Sequence, residues 1–417
     1  MFPLVICNRE SARYGGFMHN EHSVAGHWQA DFDESAFQGW VEQLRGRLRT
    51  DKVSLGLVFM SPRFFPYARQ VLEILRVHGQ IPLLAGCSSG SLIAGAEELE
   101  ENAGIAVGLY ALPGAELKAF HFTQEGVEAA MERAGYWEAQ SGVGAKQTNG
   151  WLVFADPFKL DSEAWLDSWN AAYAPLPVLG GLASGEHTDQ MTQVYLNGEV
   201  FEEGGVAVSV GGQIELAGVI SQGCTPIGET WTLTHVDGNL VSKIGNRAAY
   251  EVLAETFNSL STTDQKKSRG NLFVGLVINE YLEEFHRGDF LVRNLLGADP
   301  QTGAIAVGAM PRSGQTMQFQ RRDAAAATED MAALLSRARE ELKDATIYGG
   351  CLCSCNGRGK SLFGAPNHDA QMIQEELGPM GLAGFFCNGE IGPVGKRNFL
   401  HGYTASLALF VRKSQPV

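Results

Sequence analysis

A nine-residue segment occurs twice in this chain, about 95 residues apart, and it constrains the fold more than any other feature. PLLAGCSSG (82–90) and PVLGGLASG (177–185) match without a gap at Pro, Leu, Gly, Ser and Gly. In each copy a short apolar run, typical of a buried strand, ends in a turn of small residues. Because this period is too long for one unit of a solenoid, we expect a duplicated α/β unit.

A weaker third copy lies near the C-terminus. It comprises a strand at 346–355, a helix at 368–378, a strand and turn at 382–390, and a strand at 402–410. Its turn reads NGE where the second copy reads SGE. Since hairpins alternate with helices, the sequence predicts mixed sheets, and the expected fold class is α/β (α+β) with duplicated units packed as two domains.

Composition excludes several classes of protein. Glycine accounts for 50 of 417 residues, against a usual share of about 7%, but no G-X-Y period is present and 45% of residues are hydrophobic, so collagen and disorder are excluded. The net charge of −15 argues against binding to nucleic acid. The chain has no apolar run of roughly 18–20 residues and only seven Cys. We therefore expect a cytoplasmic protein with reduced thiols and no membrane partner.

The repeated turns are the predicted site. Small residues after a buried strand let backbone N–H groups approach a ligand, and Ser or Asn there orients polar groups. The residues expected to line a ligand cleft between the two halves are Cys87, Ser88, Ser89, Gly90, Ser184, Gly185, Glu186, Thr225, Asn388, Gly389 and Glu390. Arg293 or Arg397 would clamp an anionic group. No metal or cofactor is part of this expectation.

Three other motifs leave alternatives open. Gly86–Gly90 fits G-x-S-x-G, which would make Ser88, or the neighbouring Cys87, the nucleophile of a hydrolase. The alternating Cys351, Cys353 and Cys355 face one side of a strand and favour a buried core face over a metal site. His19, His22 and His27 favour surface-loop histidines over metal or haem ligands.

At these residues the chain resembles FIST-domain proteins. In the N-terminal part the resemblance rests on PLLAGCSSG, VLGGLASGE, GGVAVSV and ISQGCTPIGETWTLT (220–234). In the C-terminal part it rests on RGDFLVRNLLGADPQTGAIAVGAM (287–310), TMQFQRRDAAAATEDM (316–331) and FFCNGEIGPVGKRNFLHGYTASLALF (385–410). It covers nearly everything from about residue 30, with an expected N-terminal FIST domain at 1–218 and a C-terminal one at 219–417.

The resemblance implies a non-enzymatic sensory protein that binds a small ligand, with amino acids or related metabolites as candidates. FIST domains are often joined to kinase, cyclase or chemotaxis output modules. Because FIST-like sequence fills this chain, sensing would act through a signalling partner in trans. A subset of the family resembles haem-based gas sensors, although no His here can be matched to their ligand. A protein-interaction scaffold with a vestigial pocket is a further alternative.

Overall fold

The computed structural model describes residues 18–100, 104–185 and 190–413. The described chain forms two compact units. The first contains the residues up to Ile220, then Ala332–Leu400 and the residues from Ala405, whereas the second contains Ser221–Met331 and His401–Thr404. The first segment of the first unit ends at Ile220, close to the expected boundary between residues 218 and 219. The third copy of the repeat, however, belongs to the first unit and not to the second.

The first copy of the repeat follows an N-terminal hairpin and helix. Its helix α1 begins where Asp33 Oδ1 accepts a hydrogen bond from the N–H of Ala36 at 2.8 Å. The elements are β1 (Met18–His19), β2 (Ser23–Trp28), α1 (Glu34–Arg47), β3 (Leu55–Met60), a 3-10 helix (Pro62–Tyr67), α2 (Ala68–His78), β4 (Leu84–Ser88), β5 (Leu92–Ala94), β6 (Glu97–Leu99), β7 (Ile105–Tyr110) and β8 (Ala115–Phe122).

The second copy has the same order of strands. Its crossover helix α5 is capped by Asp161, whose carboxylate accepts from the N–H of Ala164. The elements are α3 (Gln124–Glu132), α4 (Tyr136–Ser141), a 3-10 helix (Ala145–Gln147), β9 (Gly150–Ala155), α5 (Ser162–Tyr173), β10 (Val178–Leu182), β11 (Val194–Leu196), β12 (Glu199–Phe201), β13 (Gly205–Gly212) and β14 (Ile214–Gln222).

The second unit is a curved antiparallel sheet with two helices. Its elements are β15 (Cys224–Asp237), β16 (Leu240–Ile244), β17 (Arg247–Ala248), α6 (Ala249–Ser259), α7 (Thr262–Ser268), β18 (Leu272–Val277), β19 (Phe290–Ala298), β20 (Ile305–Val307) and β21 (Thr316–Arg322). The strand order is β15-β21-β18-β19-β20-β16-β17, and β15 also pairs with β16.

The third copy completes the first unit. The chain returns through α8 (Ala324–Glu341), where Asp323 Oδ1 accepts from the N–H of Ala326 in the manner of an N-cap. The remaining elements are β22 (Ile347–Cys355), α9 (Lys360–Phe363), α10 (His368–Leu377), β23 (Leu382–Cys387), β24 (Glu390–Val394), β25 (Arg397–His401) and β26 (Thr404–Arg412). The predicted α/β class with mixed sheets is confirmed.

Three glycines occupy the same place in the three copies. The first two strands of each copy pair in parallel, with Gly86 opposite Val58, Gly180 opposite Val153, and Gly384 opposite Leu352. A Cβ at any of these glycines would lie 1.7–2.0 Å from the carbonyl oxygen of that partner. The ungapped sequence repeat aligns Gly86 with Gly181, but the structural equivalent of Gly86 is Gly180, one residue earlier.

The three sheets exchange hairpins in a cycle. The second strand of each copy pairs with a hairpin strand of another: β4 with β11, β10 with β24, and β23 with β5. The return strand of each copy has an outer neighbour, which is β2, β8 or β14. The first unit thus has the topology of a threefold arrangement within one chain.

One hydrophobic core receives side chains from all three sheets. Its centre contains Phe59, Phe154 and Phe385, one from each sheet, with ring centroids 4.8–5.9 Å apart. Cys351 and Cys353 are buried in the same core, as predicted, whereas Cys355 is partly exposed. None of the helices in the described part of the chain is long and apolar enough to cross a membrane.

Candidate functional site

The strand-end turns of the three copies meet inside the first unit. The side chains of Ser88, Ser89 and Ser184 are all buried. Ser88 Oγ donates to the carbonyl oxygen of Ser184 at 3.0 Å and accepts from the N–H of Gln193 at 3.0 Å. The two hydroxyls of Ser89 and Ser184 lie 3.0 Å apart. The fold therefore brings together turns that lie about 95 and 200 residues apart in the chain.

The third copy contributes a backbone acceptor to the same cluster. The carbonyl oxygen of Phe386 lies 2.5 Å from Ser184 Oγ and 2.8 Å from Ser89 Oγ. Ser184 Oγ also accepts from the N–H of Gly90. These hydroxyl groups are thus engaged with one another and with the backbone, and they hold the three turns in register.

Burial also makes the thiols beside these turns weaker acids than an ordinary cysteine. Desolvation raises the pKa of Cys87 well above its usual range, and the neighbouring Cys351 adds to the effect. Desolvation and the charge of Glu390 raise the pKa of Cys387, whose Sγ donates to Glu390 Oε1 at 3.1 Å. Because the thiolate is the nucleophilic form of cysteine, neither environment activates a thiol.

The other predicted residues of these turns are more exposed. Asn388 and Gly90 are exposed and Gly185 is partly exposed, whereas Gly389 is buried. Asn388 Nδ2 donates to the carbonyl oxygen of Ala183 at 3.1 Å. Glu186 lies outside the described residues. Whether these turns bind a ligand stays a prediction.

Three predicted residues do not join this cluster. Thr225 and Arg293 belong to the second unit, where Thr225 pairs with Arg321 across β15 and β21 and Arg293 Nη1 donates to the carbonyl oxygen of Val292. Arg397 is in the first unit and its exposed guanidinium donates to Asp167 at 2.7 Å.

Two of the N-terminal histidines differ from their predicted setting in a surface loop. His19 belongs to the short strand β1, and His27 lies in β2 and is buried. Burial lowers the pKa of His27, and the Glu97 carboxylate 3.8 Å away opposes the shift. Over 18–100, 104–185 and 190–413, no group of three or more His, Cys, Asp or Glu side chains is placed to hold a metal ion.

A cavity of about 870 Å³ opens beside the Ser88 turn, and sequence analysis missed it. Its wall combines the 3-10 helix and α2 of the first copy with the β11–β12 hairpin of the second. The lining residues are Phe65, Pro66, Ala68, Arg69, Gln70, His121, Lys159, Gln193, Val200, Phe201, Glu202 and Glu203. They come from four separated segments with no shared motif, so no local signal identified them.

Hydrogen bonds hold the polar side chains around this cavity. Lys159 Nζ donates to the carbonyl oxygen of Glu202 at 2.8 Å, and His121 stacks on Phe201 with ring centroids 3.8 Å apart. The backbone of Gln193 contacts Ser88, and its Oε1 accepts from the hydroxyl of Tyr195 at 3.2 Å. Gln193 therefore connects the predicted turn with the cavity.

In the third copy, the loop after β22 and the helix α10 hold a buried ion pair. The guanidinium of Arg358 and the carboxylate of Asp369 are at most 1% exposed and form two hydrogen bonds, of 2.6 and 2.9 Å. Desolvation favours a higher pKa for Asp369, but the charge of Arg358 and hydrogen bonds outweigh it and hold this pKa well below its usual range. Asp369 therefore stays ionised in the folded protein.

Glu98 lies against this pair and gives a prediction of pH dependence. Its Oε1 accepts from the N–H of Ala370, while its Oε2 is buried without a hydrogen-bond partner among the described residues. Burial, and next the charge of Asp369, raise the pKa of Glu98 to about 7. The folded state therefore binds this proton more tightly than the unfolded state does. The resulting stabilisation is complete below about pH 4.5 and is lost as the pH rises through about 7.

Between pH 5 and pH 8 we expect the free energy of unfolding to fall by up to about 3 kcal/mol on account of Glu98. Denaturant unfolding at a series of pH values measures this slope. Glu98→Gln should flatten it, whereas the control Glu341→Gln, on the exposed face of α8, should leave it unchanged. Equal slopes in Glu98→Gln and the parent protein would refute the assignment.

Two known protein domains match consecutive parts of this chain. The FIST N domain matches residues 54–247, and the FIST C domain matches residues 249–393. The chain belongs to the FIST family. Both the cavity and the strand-end turns of this FIST protein lie in the compact unit that takes residues from both matches.

The FIST protein has curated relatives in mycobacteria. An uncharacterised protein of Mycobacterium tuberculosis (strain CDC 1551 / Oshkosh) is 39% identical over 358 residues, which cover 86% of this chain and 91% of the relative. An uncharacterised protein of Mycobacterium bovis (strain ATCC BAA-935 / AF2122/97) is 36% identical over 369 residues, which cover 88% and 93%. These relatives support the family without adding an activity.

Among solved structures, a cyanuric acid hydrolase is similar to the FIST protein over 94% of this chain and 99% of its own. The sequence identity is 10% and the TM-score is 0.31. This likeness is too distant to inform the function of the chain.

Proposed function

We propose that this FIST protein is a non-enzymatic sensory protein that binds an amino acid or a related metabolite and acts through a partner protein. The observation that supports this most directly is the cavity of about 870 Å³ beside the Ser88 turn. A concave site of this size suits a small metabolite. The cavity also lies next to the repeated turns, which the sequence predicts to be part of a binding site.

The charges around the cavity favour a zwitterion. Arg69 and Lys159 supply cationic groups, and Glu202 and Glu203 supply carboxylates. The carboxylate of an α-amino acid would pair with the first two, and its ammonium group with the second two. Gln193, which is buried next to Ser88, offers an amide for orienting a polar side chain.

A hydrolase mechanism is less compatible with the geometry of the turn. The hydroxyl of Ser88 already donates to Ser184 and accepts from Gln193, and the residue is buried. Burial also disfavours the thiolate of Cys87. A nucleophile needs access to substrate and a base within hydrogen-bond reach, so neither residue has the setting of one. A binding role therefore fits better than an enzymatic role.

A screen of the standard amino acids by thermal shift tests the proposal. A ligand present at 100 times its dissociation constant should raise the free energy of unfolding by about 2.7 kcal/mol. Lys159→Gln should weaken its binding about tenfold, because a charge-assisted hydrogen bond to the carboxylate is lost. The exposed Lys343→Gln serves as the matched control and should bind like the parent protein.

Ligand analogues make the same test sharper. An amine without the carboxylate, and a carboxylate without the amine, should each bind more weakly than the amino acid. If no amino acid shifts the melting temperature, or if Lys159→Gln binds as tightly as Lys343→Gln, the proposed site is wrong.

A further inference from the structure

A second cavity in the first unit collects positive charge in an acidic protein. It measures about 660 Å³, and its wall includes Lys118 of β8, Lys146 of the 3-10 helix before β9, and Lys413 after β26. The chain as a whole carries a net charge of −15. Three lysines from separate segments therefore border one concave surface in a protein whose net charge is negative.

Neutral acceptors hold two of these lysines. Lys118 Nζ donates to the carbonyl oxygen of Gly142 at 2.8 Å, and Lys413 Nζ donates to Asn149 Oδ1 at 2.7 Å. Within the part of the chain that the structure describes, none of the three lysines forms an ion pair with a carboxylate. Each ammonium group has three N–H donors, so Lys118 and Lys413 each keep two beyond the bond that positions them. Their charges are thus held in place without being neutralised.

One carboxylate borders the cavity and sets its net charge. Glu116 lies two residues before Lys118 on β8, so that three lysines minus one glutamate leave the lining with a charge of +2. A phosphate monoester carries about −1.5 to −2 at pH 7, whereas a single carboxylate carries −1. The charge of the lining therefore matches a phosphate group better than a carboxylate.

The remaining wall supplies further recognition elements. The side-chain amide of Gln147 borders the cavity, and its oxygen accepts from the N–H of Gly144 at 2.9 Å. Its NH₂ group remains as a donor for an anion. Leu117 and Val143 add apolar surface next to the charged groups, which suits an organic group attached to a phosphate.

We propose that this cavity binds the phosphate group of a small phosphorylated metabolite, at a site separate from the amino-acid cavity. Lys118, Lys146 and Lys413 contact the phosphate oxygens, and Leu117 and Val143 contact the organic part. This inference does not depend on the proposed amino-acid site, since the two cavities share no lining residue.

Isothermal titration calorimetry with glycerol phosphate and with pyrophosphate tests the site in the 417-residue chain. We expect saturable binding of one equivalent that weakens as salt increases. Lys118→Gln and Lys413→Gln should each weaken binding about tenfold. Glu116→Gln should tighten it, because removal of the one carboxylate raises the positive charge of the lining.

Two controls separate this site from general effects of charge. The exposed Lys343→Gln changes the net charge by the same amount as Lys118→Gln and should bind like the parent protein. Melting temperatures without ligand show that the variants fold. Absent binding of both phosphates, equal affinities in all variants, or tighter binding of succinate than of either phosphate would overturn the proposal.

Discussion

Replacing Gly384 with alanine is expected to lower the free energy of unfolding by at least about 3 kcal/mol. The added Cβ would lie 2.0 Å from the carbonyl oxygen of Leu352, whereas comfortable contacts between heavy atoms are about 3.5–4.0 Å. That oxygen belongs to the neighbouring parallel strand and cannot move away without separating β22 from β23. We expect the same result at Gly86 and Gly180.

Chemical denaturation of the single variants measures these losses. Gly39→Ala is the matched control, since Gly39 lies in α1 and a Cβ there meets nothing within 4 Å. Alanine at an open helical position should stabilise the protein by about 0.5–1 kcal/mol. If Gly384→Ala unfolds at the same denaturant concentration as the parent protein, the close approach of these strands is not a requirement of the fold.

Replacing Arg358 with methionine should destabilise the protein by about 3–5 kcal/mol. The substitution removes the guanidinium and leaves the carboxylate of Asp369 charged and buried. Restoring a neutral interior should recover much of the loss, so we expect Arg358→Met combined with Asp369→Leu to be considerably more stable than Arg358→Met alone. Thermal and denaturant unfolding of the single and double variants provide the comparison.

The exposed pair of Arg397 and Asp167 supplies the control for this experiment. Its side chains are 56% and 69% exposed, so solvent screens the interaction, and Arg397→Met should cost about 0–1 kcal/mol. A similar small cost for Arg358→Met would show that the Asp369 carboxylate finds water or another partner once the arginine is gone.

The repeated strands were predictable because local sequence determines them. An apolar run of about six residues followed by small turn residues marks β4, β10 and β23. Among the helices between the paired strands, α5 also has a conventional N-cap, Asp161. The register between strands was not predictable at this level. Gly86 and Gly181 align in the sequence, whereas Gly86 and Gly180 occupy equivalent places, because strand pairing rather than turn similarity sets that position.

The site residues depend on contacts between distant segments. The turns were correctly singled out as a feature of the fold, but nothing local reveals that Ser88, Ser89 and Ser184 are hydrogen-bonded together in the interior. Likewise Lys118 and Lys413 lie almost 300 residues apart in the sequence and border one cavity although β8 and β26 belong to different sheets. Single lysines and serines carry no spacing signal, so a search by motif passes over them.

The cycle of hairpin exchange has a consequence for where the chain can be divided. β2 covers the free side of β7, just as β8 and β14 cover the return strands of the other two copies. It precedes residue 54, where the matched FIST N domain begins. A fragment cut at that match would leave the hydrogen-bonding groups of β7 as an unprotected edge, a template for pairing with another molecule. The start of the matched FIST N domain is therefore not a place where the chain can be cut without exposing a strand edge.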